Sequence, residues 1–485
     1  MDNPFTLLVL ASVILAFFLG WRVYDSYERE LDPLPHSSDS RYQPFMNSFI
    51  MVYYMVLFLF QMHFGISTVA LFQNTPYFWT PLVLDISLSY LLLFLLMPVL
   101  HKFLSARTCS VLWLVPAFLY FTHAITPFLS APSLVLPLPG WIAEHLETLG
   151  VIWFSGAILF LGWRCVSHLL FRYRLLHTSY TVEEEEVREV WRQERRFAGM
   201  EATEALPLPL YAPSLKSPLS IGFTKRSTRI LLPEKDYTSE ELHLIFRHEL
   251  VHIGRQDCLS KFFITFYTAL CWFNPLVWLA ARRGADELEL SCDETVLLNS
   301  DQEERELYAD LLLRTAGEQR GFTTCLSASA SALRFRLRNV IRPSKKVLGW
   351  FVVAMAVPLL ILGSGRVTVS YAQGTGQELI FNQAELTEYQ YIKHSGPSPE
   401  VDPLIQYLSG LNFTAITGQY TLEMSTQTHG GTVFYRCGDS SILLTITDLG
   451  VVVKPVESSG ALTRIYLVDD PIDWELVYSL FPGLA

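Results

Sequence analysis

The stretch RHELVHIGRQD, residues 247–257, decides how this chain is read. It sets two histidines four residues apart, with a glutamate directly after the first. On a helix, positions i and i+4 share a face, so His248 and His252 can converge on one ion while Glu249 projects close by. A helix is signalled just upstream. The run T-S-E-E from Thr238 reads as a capping box with Glu241 in the reciprocal position, and Leu242, Ile245 and Phe246 follow at helical spacing. The pattern suits zinc hydrolysis: the metal brings the pKa of a bound water near neutrality, and a glutamate takes its proton as the water attacks a peptide carbonyl. The competing reading is a surface helix with two solvated histidines, since HExxH is short enough to arise by chance.

A zinc hydrolase needs a third protein ligand. RRGADELELSCDETVLL (282–298) reads as a second helix, with Leu288, Cys292, Val296 and Leu297 as its apolar positions. Glu289 and Asp293 share a face at i and i+4, so one carboxylate can reach a metal and the other can hold a histidine ring from behind. Glu287 and Glu294 compete for the ligand role, and spacing does not exclude them. Cys292 sits off that face and reads as a buried structural thiol.

The surroundings of these motifs are those of a membrane protein. Of 485 residues, 51% are apolar and only 17% charged, against about 25% charged in an average soluble chain. The apolar residues gather in blocks at 4–21, 45–72, 79–100, 109–129, 149–170 and 347–363, each long enough for a helix to span a hydrocarbon core of about 30 Å. Arg22, Arg29, Arg41, Lys102, Arg107, Arg172 and Arg174 fall in alternate loops, whereas 73–78 and 130–148 hold no Lys or Arg. The positive-inside bias therefore puts the N-terminus outside, 172–346 in the cytoplasm and 364–485 outside. The expected order is a five-helix membrane region (1–171), an inner domain (172–346), a last span (347–363) and an outer domain (364–485). The net charge of −11 argues against a direct nucleic-acid partner, which needs clustered Lys and Arg. Seven scattered cysteines without a CxxC pair suggest neither a zinc ribbon nor a disulfide framework. His63, Asp85 and His123 lie within spans and read as interface groups or partners of a neighbouring helix.

Inside the inner domain, SYTVEEEEVREVWRQERRF (179–197) reads as a charged helix carrying the chain away from the bilayer. Residues 207–233 alternate apolar and polar between Pro and Gly and read as two or three short strands. The basic stretch LRFRLRNVIRPSKK (333–346) is a cleavage or hinge candidate, and reads more simply as a juxtamembrane helix facing anionic lipid.

The ordered set SPLSIGFTKRSTRILLP, EELHLIFRHELVHIGRQD, FNPLVW and ELELSCDETVL resembles the BlaR/MecR-type signal-transducer metalloproteases of bacterial membranes, over about 214–300. The expected fold is a mainly α polytopic membrane protein with a short β segment and a small α+β extracellular domain, and the resemblance implies that its helical protease domain is of the zincin type, gluzincin-like. It implies that His248, His252 and Glu289 bind Zn2+, that Glu249 is the catalytic acid/base, and that Asp293 and Asp257 stand behind the ligands. It further implies a receptor that cuts itself or a cytoplasmic repressor, and a homodimer. With Glu289 and His248 on one metal, the apolar stretch 258–281 must enter and leave on one side, as a re-entrant or membrane-lying hairpin bent near Asn274-Pro275.

The outer segment departs from that family. Its two lysines, Lys393 and Lys454, have no serine three positions before them, and no S-x-x-K occurs anywhere in the chain. β-Lactam sensing by serine acylation is therefore not expected. Residues 402–411 and 474–481 read as helices, with TLEMS, TVFYRCG, SILLTITD, LGVVVKP and TRIYLVD as strands of a meander. Two other functions stay open: a constitutive membrane protease without sensing, and a non-catalytic sensor that keeps zinc as a structural joint.

Overall fold

The structure, a computed structural model, describes residues 4–31, 40–44, 56, 68–120, 131–200, 206–223, 227–316, 330–342, 346–381, 389–391, 401–418, 420, 430–437, 440–455 and 463–480. Most of the expected span 45–72, the end of 109–129 with His123, and the expected strand TLEMS lie outside the described residues.

The described chain is mainly helical. Helix α1 (Pro4–Leu31) runs well past the apolar block 4–21, because Asp25 pairs with Arg22 and Arg29 along its polar end. Helix α2 (Thr68–Leu100) absorbs 73–78, expected as a loop, despite Pro76 and Pro81. Pro81 has no N–H to offer the carbonyl of Tyr77, and Gly418 fills the vacancy by donating its own N–H to that oxygen at 2.5 Å. Helix α3 (Ala106–Leu114) follows, capped by Ser105, and continues as a 3-10 turn to Phe118. Strand β1 (Leu134–Pro137) leads to α4 (Leu146–His177). Among the described residues, 79–100 within α2 and the whole of α4 are by length and composition able to cross a bilayer, and 106–118 and 350–363 are shorter apolar helices.

Next come β2 (Tyr180–Thr181) and α5 (Glu185–Phe197). The helix starts later than 179 because Tyr180 and Thr181 pair with the strand β3 (Leu210–Tyr211). Nor does α5 stand off in solvent. Val187, Val190 and Trp191 are buried, and Trp191 packs on Phe246. Strands β4 (Leu219–Ile221) and β5 (Arg229–Leu232) complete a four-stranded sheet in the order β2-β3-β5-β4.

Helices α6 (Ser239–Arg255), α7 (Asp257–Leu270) and α8 (Pro275–Val296) carry the HExxH and E-xxx-D motifs. Two corners shape them. Gln256 takes a left-handed conformation (φ 58°) that ends α6 and starts α7 at once. Asn274 then caps α8, its Oδ1 accepting the N–H of Leu276 at 3.0 Å with Pro275 as first helical residue. Between the corners, Phe263, Phe266 and Tyr267 of α7 are buried in one apolar core with residues of α1, α2 and α3. The tip at 271–274 rests on α4, where the Trp153 indole donates to the Leu270 carbonyl at 2.7 Å and that of Trp272 to the Trp153 carbonyl at 2.9 Å.

Helices α9 (Gln302–Ala316), α10 (Ala330–Ile341) and the apolar α11 (Trp350–Gly363) follow. Helix α11 lies against α1, where a Cβ on Gly20 would meet Ala354 Cβ at 3.1 Å. Asp85 of α2 accepts the N–H of Gly365 at 2.7 Å, just beyond α11.

The C-terminal unit contains β6 (Val367–Thr375), β7 (Tyr389–Tyr391), α12 (Val401–Gly410), β8 (Asn412–Ile416), β9 (Gly430–Cys437), β10 (Ser440–Thr447), β11 (Gly450–Pro455), β12 (Arg464–Val468) and α13 (Trp474–Leu480). Strands β9 to β12 form an antiparallel meander, as their alternation indicates. The whole sheet runs β1-β6-β8-β12-β11-β10-β9-β7. Its edge strand β1 comes from the loop between α3 and α4 and pairs with β6 in parallel, Leu134 opposite Val367.

Candidate metal centre

The helix that bears His248 and His252 is fixed locally at both ends. Thr238 Oγ1 accepts the N–H of Glu241 at 3.3 Å, and Glu241 Oε2 accepts that of Thr238 at 3.0 Å. Its apolar face (Leu242, Ile245, Phe246, Leu250) enters a core shared with α5, α8 and α9. Burying each such side chain contributes about 1.5–3 kcal/mol, which sets the histidine face against α8.

The two histidines meet at their Nε2 atoms, 3.1 Å apart, and Glu289 Oε2 of α8 lies 3.7 Å from each. Zinc bound tetrahedrally at 2.0–2.1 Å spaces its N and O ligands about 3.3 Å apart. A triangle of 3.1, 3.7 and 3.7 Å is thus the ligand face of such a site to within a few tenths of an ångström.

Both imidazoles are held from behind. His252 Nδ1 donates to Asp257 Oδ2 at 2.6 Å, a carboxylate in the first turn of α7. His248 Nδ1 lies 2.8 Å from the Tyr308 hydroxyl, which in turn donates to Asp293 Oδ1 at 2.6 Å. A single hydroxyl proton serves one acceptor, so Tyr308 gives its proton to Asp293 and receives one from His248 Nδ1. In each ring the Nδ1–H is thereby directed backward and Nε2 faces the shared point, where a metal would take the place of the proton that the charged ring carries. Asp293 is anchored by Arg336 of α10, with Nε to Oδ2 at 2.6 Å and Nη2 to Oδ1 at 2.7 Å. Glu289 pairs with Lys261 of α7 at 3.0 Å, and Arg336 Nη1 stands 3.6 Å from its Oε2. Glu249, next to His248, is buried.

Cys292 is closer to this cluster than its helical position indicates. It is buried as expected, but its Sγ lies 3.4 Å from His248 Nδ1, and His248, His252 and Cys292 can bring ligand atoms within 4.8 Å of one another. Charges compensate one another tightly here. Burial opposes a charged His248, yet the Cys292 sulfur and Glu289 outweigh it and push its pKa up to about 10. The same balance, with Asp257 added, holds His252 well above its ordinary value. Burial likewise opposes ionised Glu289, but Lys261 and His252 keep it well below the usual carboxylate range. The Cys292 thiol is lowered by the two histidines against its burial.

The structure brings together His248, His252, Glu289, Asp293 and Asp257, while Glu287 and Glu294 turn elsewhere. Glu287 faces His101, and Glu294 takes the N–H of Ala106 at 2.9 Å and Lys346 at 3.0 Å. The sequence reading missed Tyr308, Lys261 and Arg336. Arg336 belongs to the stretch 333–346 expected to face lipid; it points into the site, and Lys346 is likewise tied down by Glu294.

Two histidines on one helical turn, a carboxylate from a second helix and rings steered by further carboxylates make a donor set for a divalent metal, embedded among apolar helices. Comparison with known proteins agrees. The family described as BlaR1 peptidase M56 matches residues 45–340, and the chain belongs to that family of metal-dependent membrane peptidases. Among individual proteins, the chain is 26% identical to the regulatory protein BlaR1 of Bacillus licheniformis over 191 residues, 37% of this chain and 31% of that one. It is 23% identical to BlaR1 of Staphylococcus aureus over 165 residues (32% and 28%). The methicillin resistance mecR1 protein of Staphylococcus aureus strain Mu50 shares 24% over 107 residues (21% and 18%). The matched regions thus span under a third of each relative's length.

Proposed function

We propose that the chain is a zinc metalloendopeptidase that acts as a signal-transducing receptor, cleaving itself or a cytoplasmic regulator, such as a transcriptional repressor, in response to an outer signal. The observation that carries this is the Nε2–Nε2–Oε2 triangle with both Nδ1 atoms tied back to carboxylates. His248, His252 and Glu289 would hold the ion, whose contribution when bound is a water of near-neutral pKa and a polarised peptide carbonyl. Glu249, on the adjoining helical position and screened from solvent, takes the proton of the attacking water and passes it to the leaving amine. Asp257 and the Tyr308–Asp293 pair keep the ligand rings from rotating.

The receptor arrangement has support from the two ends of the molecule. Residues 73–78, the loop bearing β1 and the C-terminal unit meet one another through Gly418–Tyr77 and β1–β6. Glu30, Arg107, Arg255 and the metal-site helices meet at the other end. That separation matches an outer sensor and a cytoplasmic protease in a multi-pass protein. The contact of its tip with Trp153, two turns into α4, supports a re-entrant over a surface-lying course for the α7–α8 hairpin.

An immunoblot of the protein in its native membranes, tagged at both ends, tests the proposal by comparing wild type with Glu249→Ala. Fragments confined to the wild type support self-cleavage. One intact band in both, with no cleavage of any cytoplasmic protein that depends on Glu249, overturns the protease reading. That result would favour the zinc-holding, non-catalytic sensor, for which Cys292 is the supporting observation: a thiolate joining the histidines would close the site as structural zinc sites are closed.

A further inference from the structure

A second cluster of metal-ligand types lies on the opposite side of α8. Glu287 precedes Glu289 by two residues, a rotation of about 200° on a helix, and so faces away from the metal centre toward α2 and α3. There its Oε1 lies 2.5 Å from Nε2 of His101, the residue following α2. Cys109 of α3 completes the group, and one ligand atom from each of the three lies within 4.8 Å of the others.

Glu287 is only 5% exposed and Cys109 wholly buried. The second carboxylate oxygen, Oε2, is buried and receives no hydrogen bond among the described residues. A buried carboxylate oxygen without a donor is destabilising, and among the described residues no Lys or Arg pairs with Glu287. The His101 side chain, 21% exposed, gives the cluster a route to solvent, and the Phe335 ring packs against it at 5.4 Å between centroids.

We propose that His101, Cys109 and Glu287 form a second divalent-metal site, of the zinc class, which ties the ends of α2 and α3 to α8. Nitrogen, sulfur and oxygen donors together select zinc over magnesium or calcium, which take oxygen ligands. Metal entry displaces the Cys109 thiol proton and the proton shared by His101 Nε2 and Glu287 Oε1. Because α8 also carries Glu289 and Asp293, the second ion would brace the helix that builds the first centre.

The test measures Co2+ bound per chain by the full-length purified protein, stripped of metal by chelation, in a His248→Ala/His252→Ala background that removes the first centre. One tightly bound ion with a thiolate-to-cobalt absorption band is expected. Cys109→Ser abolishes the band, and His101→Asn, at the partly exposed position most tolerant of change, weakens binding at least 10-fold. Glu287→Gln, which keeps the side-chain shape, does the same. The proposal is overturned if the background variant binds no ion, or if binding and band survive both His101→Asn and Glu287→Gln, which would mean an adventitious ion only. Failure of the peptidase reading would leave this result untouched, since the measurement contains no cleavage step.

Discussion

Replacing Arg336 by methionine removes a guanidinium from the heart of the protein while keeping its apolar stem. Asp293, whose side chain is 2% exposed, would lose both short hydrogen bonds to Arg336 and keep only that of Tyr308. Removing one partner of a buried pair costs about 3–5 kcal/mol. For a unit of this size that is a fall of roughly 6–20 °C in melting temperature. The effect on metal affinity is smaller, because two terms oppose. Loosening the Asp293–Tyr308 support of His248 weakens binding about 10–100-fold, whereas removing a cation 3.6 Å from Glu289 Oε2 strengthens it. Stability of the chelated protein is therefore the deciding readout, measured by thermal unfolding in detergent. Arg334→Met and Arg338→Met, both exposed on the same helix, are the controls and should stay within about 0.5 kcal/mol of wild type. In the double variant Arg336→Met/Asp293→Asn the loss should fall short of the sum by more than about 1 kcal/mol. The reasoning is refuted if the three arginine variants behave alike, as they would if the stretch only faced lipid.

Tyr308→Phe leaves His248 Nδ1 and Asp293 without their bridge, so zinc affinity should fall about 10–100-fold in a competition titration; an unchanged affinity would mean that the ring is held otherwise. Gly254→Ala should destabilise α6 although alanine favours helix by about 1 kcal/mol, because the new Cβ would run into Tyr42 Cβ and meet Tyr42 O at 2.8 Å; a raised melting temperature would contradict this packing. Zinc at 100 times its dissociation constant should stabilise wild type and Glu249→Ala by about 2.7 kcal/mol, and stabilise His248→Ala/His252→Ala less; equal shifts in all three would remove the histidines from the site. Glu30→Gln should cost about 3–5 kcal/mol at pH 7. Burial raises the Glu30 pKa, but Arg107 and Arg255 outweigh burial and set it below its ordinary value. The stabilisation is thus present in full above the unfolded pKa of about 4.3 and is lost as pH falls through the lower folded value. Melting curves of the two proteins should converge only below about pH 4, and convergence near pH 6 would refute the assignment.

What the sequence revealed was local. The capping box at Thr238, the i,i+4 histidines and the E-xxx-D pair each depend on helical geometry within one or two turns, and neighbouring residues settle that geometry. The parts that escaped were set by distant packing. Arg336 looks like any arginine of a basic run, but a signal was present: it lies between Ala332 and Val340 at i−4 and i+4, and both are buried. A face reading Ala-Arg-Val points inward, and its arginine needs a carboxylate. Strand β1 gave no comparable signal, since four residues bounded by proline acquire strand character only by pairing with β6, more than two hundred residues later. The extension of α2 through Pro76 and Pro81 likewise depends on Gly418, a donor that no local window contains.

The residues that brace the candidate metal centre share an origin that bears on the proposed signalling. Glu30 ends α1 and accepts from Arg255, the last residue of the HExxH helix, at 3.0 Å. Arg107 begins α3 and pairs with the same Glu30. Arg336 lies on the helix that precedes α11 and holds Asp293. His101 directly follows α2 and touches Glu287 on α8. Glu30, Arg107 and His101 stand at or next to the ends of apolar helices and Arg336 on the helix before one, and α1 and α11 pack on one another. Such contacts are short-ranged and directional, so an ångström of sliding between helices breaks them while the apolar packing deforms little. A displacement arriving along the helices is therefore felt first at the ligands' supports. If the proposed function holds, the side chains that support the ligands, more than the ligands themselves, are where a signal would set the activity of the peptidase.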